Sequence, residues 1–324
     1  MRSLPAELKM PARPRVSVVI PLHNRAARIG AAIRSVLNQS VGNLEVIVVD
    51  DGSTDNGGRQ VLRFDDCRLR YVRQANSGAN VARNRGIDLA RGDFVAMLDS
   101  DDQMCPGHLE RALEILGEAP ETVVFARIVV DRGSNLTFLK PPRGPRPDEP
   151  IADYLMTDVG FVQTSTVVLA ASTARRVRYL DWLRWGQDTD FAIRLADAGY
   201  PFRMLDEPGA IWRDVADPAR VSATPQALHL LEWLEFIKPH VSTRAWYGYR
   251  GWHVSRTIAG RPGGKWAAFG YFGSALSRRC YSPALATRIA LQIMLAGRPY
   301  RTLADLSLWM SPSSWRRKNS EKTT

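Results

Sequence analysis

Runs of β-branched residues alternate with helical periods along roughly the first 130 residues of the chain. The apolar runs at 16–20, 44–49 and 94–98 are typical of buried strands, and apolar residues recur at helical spacing over 26–37 and 79–90. A chain that alternates in this way folds into a mostly parallel sheet flanked by helices. We therefore expect an α/β protein whose ligand lies beyond the carboxyl ends of its strands.

Three of the predicted strands end in clusters of polar side chains. The clusters are Pro21 to Asn24, Asp50 to Ser53 and Asp99 to Asp102. Because the carboxyl ends of parallel strands meet at one edge of a sheet, these clusters should converge on one crevice. Taken alone, each cluster is also explained as a polar turn. Two acidic strand ends in one crevice, however, need a cation or ligand donors to offset their repulsion.

The spacing of Asp99 and Asp101 suits a divalent cation. Residues two apart at a strand end face the same side, so the two carboxylates repel each other unless a cation lies between them. Carboxylate oxygens suit Mg²⁺ or Mn²⁺, and Mg²⁺-like ions usually take their remaining ligands from water and substrate phosphates. The pair therefore indicates a metal and a substrate that carries phosphate.

Two further segments could serve such a substrate. Arg83 and Arg85 lie near a predicted helix start after Gly78, where backbone N–H groups also favour a diphosphate; a solvated helix face is the alternative. Asp188 lies in the first turn of a predicted helix, where it is either a general base for a hydroxyl or a helix cap. Neither a GxGxxG fingerprint nor a P-loop occurs in the chain, which excludes those two nucleotide sites.

The composition divides the chain unevenly. Residues 225–324 hold 15 of the 44 lysines and arginines but only 4 of the 33 acidic residues, a net charge of +11, and they hold 6 of the 9 tryptophans. We expect an N-terminal tail at 1–14, a main domain at 15–222 and a basic, aromatic-rich helical region at 223–324. The proline-rich stretch Lys140–Pro150 predicts an exposed loop.

No segment predicts secretion or membrane crossing. The first residues lack the apolar core of a signal peptide, and no uncharged apolar run reaches the roughly 18–20 residues that span a bilayer. Three separated cysteines without a CxxC pair predict reduced thiols in the cytoplasm. Short apolar segments at 270–276 and 284–295 predict contact with an anionic membrane surface, with packing on the rest of the protein as the alternative. No nucleic-acid motif is present, so we expect no nucleic-acid partner.

Taken together, the sequence resembles the family 2 glycosyltransferases, which have the GT-A fold. The resemblance covers residues 15–222 and depends on five motifs in order. The motifs are VSVVIPLHN at 16–24, VIVVDDGSTDN at 46–56, NSGANVARNRG at 76–86, FVAMLDSDD at 94–102 and GQDTDFAIRLADAGY at 186–200. The resemblance implies an α/β fold of the GT-A type, with residues 223–324 as a mainly helical C-terminal extension.

The resemblance also implies transfer of a sugar from a nucleotide-sugar donor, most often a UDP-sugar, with inversion at the anomeric carbon. Asp188 would be the catalytic base that deprotonates the acceptor hydroxyl, and Asp51 would hold the donor base. The expected donor-binding set is Pro21, His23, Asn24, Asp50, Asp51, Gly78, Arg83, Asp99 and Arg213. A divalent metal, Mn²⁺ or Mg²⁺, would be held by Asp99, Asp101 and Asp102 and would bridge the diphosphate.

The sequence departs from the family pattern at three places. His23 stands where an aromatic residue is usual, Gln187 stands where Glu usually precedes the base, and Trp212-Arg213 replaces part of a YRxH-like stretch. The QxxRW stretch of processive synthases is absent, so we expect one sugar to be added per acceptor. We expect the acceptor to be a lipid-linked saccharide of bacterial cell-envelope or exopolysaccharide synthesis. The enzyme would then lie in the cytoplasm, on the inner face of the cell membrane.

Three other functions remain open on the sequence. A sugar nucleotidyltransferase would also use a metal, but a Gly-rich loop with Lys or Arg should follow its first strand, and PLHNRAARIG at 21–30 is not such a loop. A nucleic-acid-binding protein is suggested by the basic tail alone. A non-catalytic sugar-binding relative is disfavoured by the presence of Asp101, Asp102 and Asp188.

Overall fold

The computed structural model describes residues 13–133, 136–214, 227–296 and 302. The chain forms two compact units. The first unit contains the residues up to Ala126, Gln163–Trp182 and Pro201–Ile211, and the second contains Arg127–Val162, Leu183–Tyr200 and the residues from Trp212 onward. The predicted boundary between residues 222 and 223 lies outside the described residues, as does most of the predicted tail at 1–14, so both stay predictions.

The described residues contain nine β-strands. In chain order they are β1 (Val16–Leu22), β2 (Leu44–Asp51), β3 (Leu69–Gln74), β4 (Phe94–Met97), β5 (Gln103–Met104), β6 (Val123–Asp131), β7 (Thr137–Lys140), β8 (Val168–Ala170) and β9 (Phe202–Arg213). They form a mixed sheet in the order β3-β2-β1-β4-β8-β6-β9-β5, and β7 pairs with β6. Strands β3, β2, β1 and β4 run parallel, whereas β8 is antiparallel to β4 and β6. The predicted α/β class is confirmed.

Twelve α-helices lie within the same described ranges. They are α1 (Ile29–Leu37), α2 (Gly57–Val61), α3 (Ala79–Leu89), α4 (His108–Glu118), α5 (Ile151–Thr157), α6 (Ala171–Val177), α7 (Gln187–Asp197), α8 (Ala227–Ile237), α9 (Thr243–Tyr249), α10 (Ser255–Ala259), α11 (Gly264–Leu276) and α12 (Pro283–Met294). A π-helical segment, Arg250–Val254, joins α9 to α10. The predicted helical character of the C-terminal region is confirmed for its described part.

Strands β1 and β2 are buried along their whole length. Parallel strands that are covered on both faces consist almost entirely of apolar residues. This burial explains why apolar and polar residues do not alternate in the sequences of β1 and β2. Helix α3 approaches this sheet very closely, because Gly86 has no side chain. A Cβ at Gly86 would lie 2.2 Å from Val19 Cγ1, well inside van der Waals contact. The close approach brings α3 and the loop before it to the carboxyl ends of β1 and β2.

In the second unit, α10, α11 and α12 enclose a separate apolar core that includes Phe272, Leu285 and Ile289. On the outer face of these helices Trp266 is 87% exposed and Met294 is 47% exposed. Within the described ranges, the chain offers no helix with the length and apolar character that bilayer crossing requires.

We predict that Gly86→Ala destabilises the protein. The added methyl group must displace Val19 or shift α3, and overpacking of this kind costs about 1–3 kcal/mol, partly offset by the better helix propensity of Ala. Gly270→Ala is the matched control, because a Cβ there meets nothing within 4 Å and Ala should stabilise α11. Urea denaturation midpoints compare the two variants. A Gly86→Ala midpoint at or above that of the wild type would show that the helix and sheet have room to separate.

Candidate active site

Asp51, the last residue of β2, is buried and largely engaged by the chain. Its Oδ1 accepts hydrogen bonds from Gln74 Nε2 and the Ser77 amide, both at 2.8 Å, and its Oδ2 accepts one from the Gly78 amide at 2.8 Å. Gly78 has a φ of 100°, which glycine adopts without strain. The carboxylate therefore fixes the loop before α3 and keeps about one of its roughly four acceptor positions for a ligand.

The neighbouring Asp50 shapes the turn after β2. Its Oδ1 accepts a hydrogen bond from the Ser53 amide at 2.8 Å, and its Oδ2 accepts one from the Tyr71 hydroxyl at 2.6 Å. Burial opposes ionisation of Asp50, but the hydrogen bonds outweigh it and its pKa lies below the usual value. Burial and the Asp50 carboxylate raise the pKa of Tyr71 to about 12. The predicted contact of Asp50 with the nucleotide-sugar donor stays a prediction.

His23 and Asn24 tie the end of β1 to the end of β2. His23 Nδ1 donates to the Asp51 carbonyl at 2.9 Å, which identifies Nδ1 as a protonated nitrogen because a carbonyl only accepts. Asn24 has a φ of 51°, and its Oδ1 accepts a hydrogen bond from the Thr54 amide at 2.8 Å. Pro21 is buried within β1. The two strand ends thus form one polar surface.

Arg83 of α3 forms an ion pair with the end of β4. Its Nη2 donates to Asp99 Oδ1 at 2.7 Å and its Nη1 donates to Asn80 Oδ1 at 2.9 Å, while the guanidinium lies over the Tyr179 ring at 5.2 Å. Arg83 is buried, whereas Asp99 is partly open to solvent. The pair places a fixed positive charge at the strand end, where a diphosphate could compete with Asp99 for the guanidinium.

The two other acidic residues of this strand end have different surroundings. Asp101 Oδ2 lies 3.6 Å from Arg25 Nε and 3.5 Å from Arg28 Nη1. Asp102 is 2% exposed and accepts a hydrogen bond from Ser165 Oγ at 2.7 Å. The Asp101 carboxylate therefore faces two arginines that, like Asp101 itself, are partly buried, and the Asp102 carboxylate faces the protein interior.

These surroundings bear on the predicted metal. Nowhere in the part of the chain that the structure describes are three histidine, cysteine or acidic side chains grouped to hold an ion. An ion such as Mg²⁺ that keeps water and phosphate ligands needs only one or two protein carboxylates. Asp101 fits this role better than Asp102, because its side chain is 15% exposed whereas Asp102 is buried. The residues present fit a metal that takes most of its ligands from a diphosphate.

One continuous set of contacts joins these strand ends. Ser165 Oγ accepts a hydrogen bond from the Asp99 amide at 3.0 Å and donates one to Asp102. Arg25, which lies beside Asp101, donates a hydrogen bond from Nη1 to the Asn24 carbonyl at 3.3 Å. The predicted residues that the first unit brings together are Pro21, His23, Asn24, Asp50, Asp51, Gly78, Arg83, Asp99, Asp101 and Asp102. The other two predicted residues, Asp188 and Arg213, belong to the second unit.

Asp188 lies in the first turn of α7. The capping position of this helix is Gly186, with a φ of 73°, and the helix begins at Gln187. Asp188 is therefore the second helical residue, so the cap interpretation does not hold. Its side chain is half-buried. A carboxylate at this position is favoured by the positive end of the helix dipole.

The sequence did not reveal what holds α7 in place. Asp190 is 1% exposed, pairs with Arg194 at 2.6 Å and accepts the indole N–H of Trp233 in α8 at 2.9 Å. The spacing of Asp190 and Arg194, four residues apart on a helix, could have indicated their ion pair. No local pattern, however, connects position 190 with position 233. A helix of the basic C-terminal region thus supports the helix that carries Asp188.

Arg213, the last residue of β9, lies near Asp131, with 3.8 Å between Arg213 Nε and Asp131 Oδ2. The preceding Trp212 stacks on Phe161, with 6.0 Å between the ring centroids. A contact of Arg213 with the donor diphosphate stays a prediction.

Comparison with known proteins gives consistent results. Residues 17–176 match the family model described as Glycosyl transferase family 2. The amylovoran biosynthesis glycosyltransferase AmsB of Erwinia amylovora is 31% identical over 249 residues, which are 74% of this chain and 82% of that protein. The GalNAc(5)-diNAcBac-PP-undecaprenol beta-1,3-glucosyltransferase of Campylobacter jejuni is 35% identical over 149 residues, 44% of this chain and 48% of that protein.

Solved structures share the fold. Residues 1–349 of S. aureus TarS match with a TM-score of 0.61 at 19% identity, and the match covers 92% of each chain. The mannosyltransferase PcManGT from Pyrobaculum calidifontis, solved with GDP-Man and Mn²⁺, matches with a TM-score of 0.57 at 19% identity over 92% of this chain and 86% of that chain. The predicted GT-A fold is confirmed.

Sequence and fold lead to the same assignment. Four of the five motifs lie almost entirely within the residues that the family model matches. The match to AmsB extends over most of both proteins. The chain therefore belongs to the family 2 glycosyltransferases.

Proposed function

We propose that the protein is an inverting, non-processive enzyme that moves one sugar from a UDP-sugar to a lipid-linked saccharide in cell-envelope or exopolysaccharide synthesis. The polar edge of the first unit carries the proposal, because Asp51 and the Arg83–Asp99 pair lie there at the ends of β2 and β4, the two strands that flank β1. The relatives support it. AmsB is named for amylovoran biosynthesis and the Campylobacter jejuni enzyme for an undecaprenol-linked substrate, while TarS has been solved with UDP-GlcNAc.

The first unit would bind the donor. The remaining acceptor position of Asp51 suits an N–H of the base, and His23 and Asn24 lie beside it on the same polar surface. Arg83 is held by Asn80 and Tyr179 as well as by Asp99, so its guanidinium stays in place when a diphosphate displaces the carboxylate. The donor would therefore meet a largely preformed surface, which reduces the ordering cost of binding.

A divalent metal, Mn²⁺ or Mg²⁺, would be held by Asp101 together with diphosphate oxygens. Bound there, it would offset negative charge on the leaving nucleotide diphosphate. Arg25 and Arg28 lie beside the same carboxylate and bring two further positive charges to this end of the sheet.

Asp188 would act as the general base. Its carboxylate accepts the proton of the acceptor hydroxyl, and the hydroxyl oxygen forms a bond to the anomeric carbon of the donor. The bond between that carbon and the diphosphate oxygen breaks, and its electron pair leaves with the nucleotide diphosphate. Because attack and departure occur on opposite faces, the configuration inverts and no covalent intermediate with the enzyme forms.

Asp188→Asn keeps the shape of the side chain but removes the base. We expect the transfer rate to fall roughly 10²–10⁴-fold, while UDP binding, measured by calorimetry, stays unchanged. Asp197→Asn is the control on the same helix, since Asp197 is exposed and contacts His240. A normal transfer rate in Asp188→Asn would remove this residue from the reaction.

We predict that activity depends on a metal held chiefly by Asp101. A chelator should abolish transfer, and Mn²⁺ or Mg²⁺ should restore it. Asp101→Asn should raise the metal concentration for half-maximal activity about 10-fold or more. Asp102→Asn should instead lower the thermal midpoint, because Asp102 is buried against Ser165. Full turnover in the presence of chelator would exclude the metal, and equal losses of metal affinity in both variants would favour the three-carboxylate site.

We also propose that the outer face of α11 and α12 contacts an anionic membrane. Trp266 is exposed there beside Lys265, and Met294 extends the apolar face. Arg278 and Arg279 follow the end of α11 and are exposed. Exposed tryptophan and basic residues suit the headgroup region of a bilayer, and contact with a membrane would bring the enzyme to a lipid-linked acceptor.

Sedimentation with vesicles tests the membrane contact. The protein should pellet with anionic vesicles at low salt and be partly released as salt rises, because each basic residue contributes only about 1 kcal/mol that salt screens. Reversal of Arg278 and Arg279 to Glu should weaken pelleting, whereas the same reversal at Arg59 and Arg63, exposed in the first unit, should not. If the wild-type protein stays in the supernatant at low salt, the acceptor is reached without the membrane.

A further inference from the structure

Arg250, the first residue of the π-helical segment in the second unit, lies among three aromatic rings. Its guanidinium carbon is 4.4 Å from the centroid of the Tyr271 ring, 4.9 Å from that of Trp246 and 5.5 Å from that of Tyr247. π-Helical turns are rare and frequently lie at functional sites. This irregular turn therefore places a half-buried cation against three rings.

The packing of Gly251 explains how the rings reach this cation. A Cβ at Gly251 would lie 2.5 Å from Ala275 Cβ, so only glycine lets the π-helical turn approach α11 this closely. One of the three rings belongs to α11, and the other two belong to α9. The close contact therefore brings side chains of two helices to one guanidinium group.

Arg250 has no acidic partner among the residues that the structure describes. Toward those residues it donates no hydrogen bond and forms no ion pair, and its Nε is buried without an acceptor. Lys238 lies over the same Trp246 ring at 4.9 Å but does have an acidic partner, Glu235, at 3.3 Å. The rings attract a cation, but their faces are poor hydrogen-bond acceptors. The remaining donors of Arg250 therefore suit an anionic ligand.

Arg278 lies against the same Tyr247 ring, with 3.8 Å between its guanidinium carbon and the ring centroid. Its hydrogen bonds are all donated by Nη1, to the carbonyl and hydroxyl of Ser274 and to the hydroxyl of Ser277, at distances between 2.9 and 3.4 Å. Toward the described part of the chain, Nε and Nη2 donate none. These two nitrogens form one edge of the guanidinium plane, an edge that can pair with two oxygens of a phosphate.

The surroundings of the two arginines are strongly basic. Between residues 227 and 296 the sequence holds nine lysines and arginines but only two acidic residues, Glu232 and Glu235, both in α8. Asp153 of α5 approaches from another part of the unit, but it faces Arg244, whose Nη1 lies 3.6 Å from its Oδ2. The charges near Arg250 and Arg278 therefore attract anions.

We propose that Arg250 and Arg278, both held against Tyr247, form a binding site for a phosphoryl group, and that its ligand is the phosphate of an anionic lipid headgroup. Each guanidinium group can donate paired N–H groups to phosphate oxygens, and Arg278 is exposed to solvent. The phosphoryl site stands on these residues alone, whereas the choice of a lipid as its source rests on the proposed membrane contact of α11 and α12.

The site differs from general attraction between a basic surface and an anionic membrane. Attraction of that kind depends on the number of charges, so arginine and lysine are equivalent in it. A phosphate that is bound through paired N–H groups distinguishes the two, because the lysine ammonium group lacks the planar fork of arginine. Replacement of arginine by lysine therefore separates the site from the charge that it carries.

Vesicles of phosphatidylcholine that carry either phosphatidate or an equal surface charge of oleate test the site. The wild-type protein should bind the phosphatidate vesicles more tightly. The double variant Arg250→Lys, Arg278→Lys keeps the charge and the contact with the rings, but it should bind phosphatidate vesicles roughly 10-fold less tightly, the effect of losing one charge-assisted hydrogen bond. Its binding to oleate vesicles should not change.

Arg261→Lys, Arg279→Lys is the matched control, because it makes the same replacement at two exposed positions of the same unit. This control should bind both kinds of vesicle as the wild type does. Equal thermal midpoints of the two double variants show that neither change disturbs the fold. Calorimetry with soluble glycerol 3-phosphate provides a measurement in the absence of any membrane.

The outcomes separate the site from its source and from the proposed membrane contact. Loss of the preference for phosphatidate in the Arg250 and Arg278 variant alone supports the proposal. Equal binding of both kinds of vesicle by the wild type, or a preference that the variant retains, overturns the site and leaves the membrane contact standing. If the wild type binds neither kind of vesicle but binds glycerol 3-phosphate through these arginines, the lipid assignment and the membrane contact are both overturned and the phosphoryl site stands.

Discussion

Carboxylates that are buried at the edge of a sheet need hydrogen-bond donors or cationic partners, and this requirement determines how the site is arranged. An unpaired buried carboxylate costs several kcal/mol, so each one must hold something in place. Asp51 holds the loop before α3 through the amides of Ser77 and Gly78, and beside it the buried Arg83 is held by the partly open Asp99. The protein's own carboxylates therefore hold in place the loops that would surround a nucleotide-sugar donor. A ligand would replace some of these existing hydrogen bonds and ion pairs and would not have to order the loops.

The same requirement acts in the second unit. Asp190 is a buried charge on α7, and its partners are Arg194 on its own helix and Trp233 on α8. Hydrogen bonding from the indole satisfies an oxygen that would otherwise be costly to bury. The described part of the basic C-terminal region consequently contributes to the packing of the second unit as well as carrying positive charge. Its first helix stabilises the helix that carries the proposed base, while α11 and α12 leave an outer face exposed.

Local patterns predicted much of this architecture. The β-branched runs of β1, β2 and β4 indicated strands covered on both faces, and the polar residues after them indicated the site. Long-range partners had no such signal. Ser165 lies 63 residues from Asp102 in the chain, and Trp233 lies 43 residues from Asp190. The predicted loop at 140–150 begins inside a strand, because Lys140 pairs with Ile128 of β6, and that pairing depends on another part of the chain.

The path of the chain between the two units has a consequence for how such an enzyme can diverge. The chain passes from one unit to the other after residues 126, 162, 182, 200 and 211. A single crossover between two related genes would therefore divide at least one unit between the two parents. Exchange of the last hundred residues alone would replace Trp233, the partner of Asp190, without replacing Asp190. The second unit of this architecture is thus expected to diverge by individual substitutions rather than by exchange of a terminal segment.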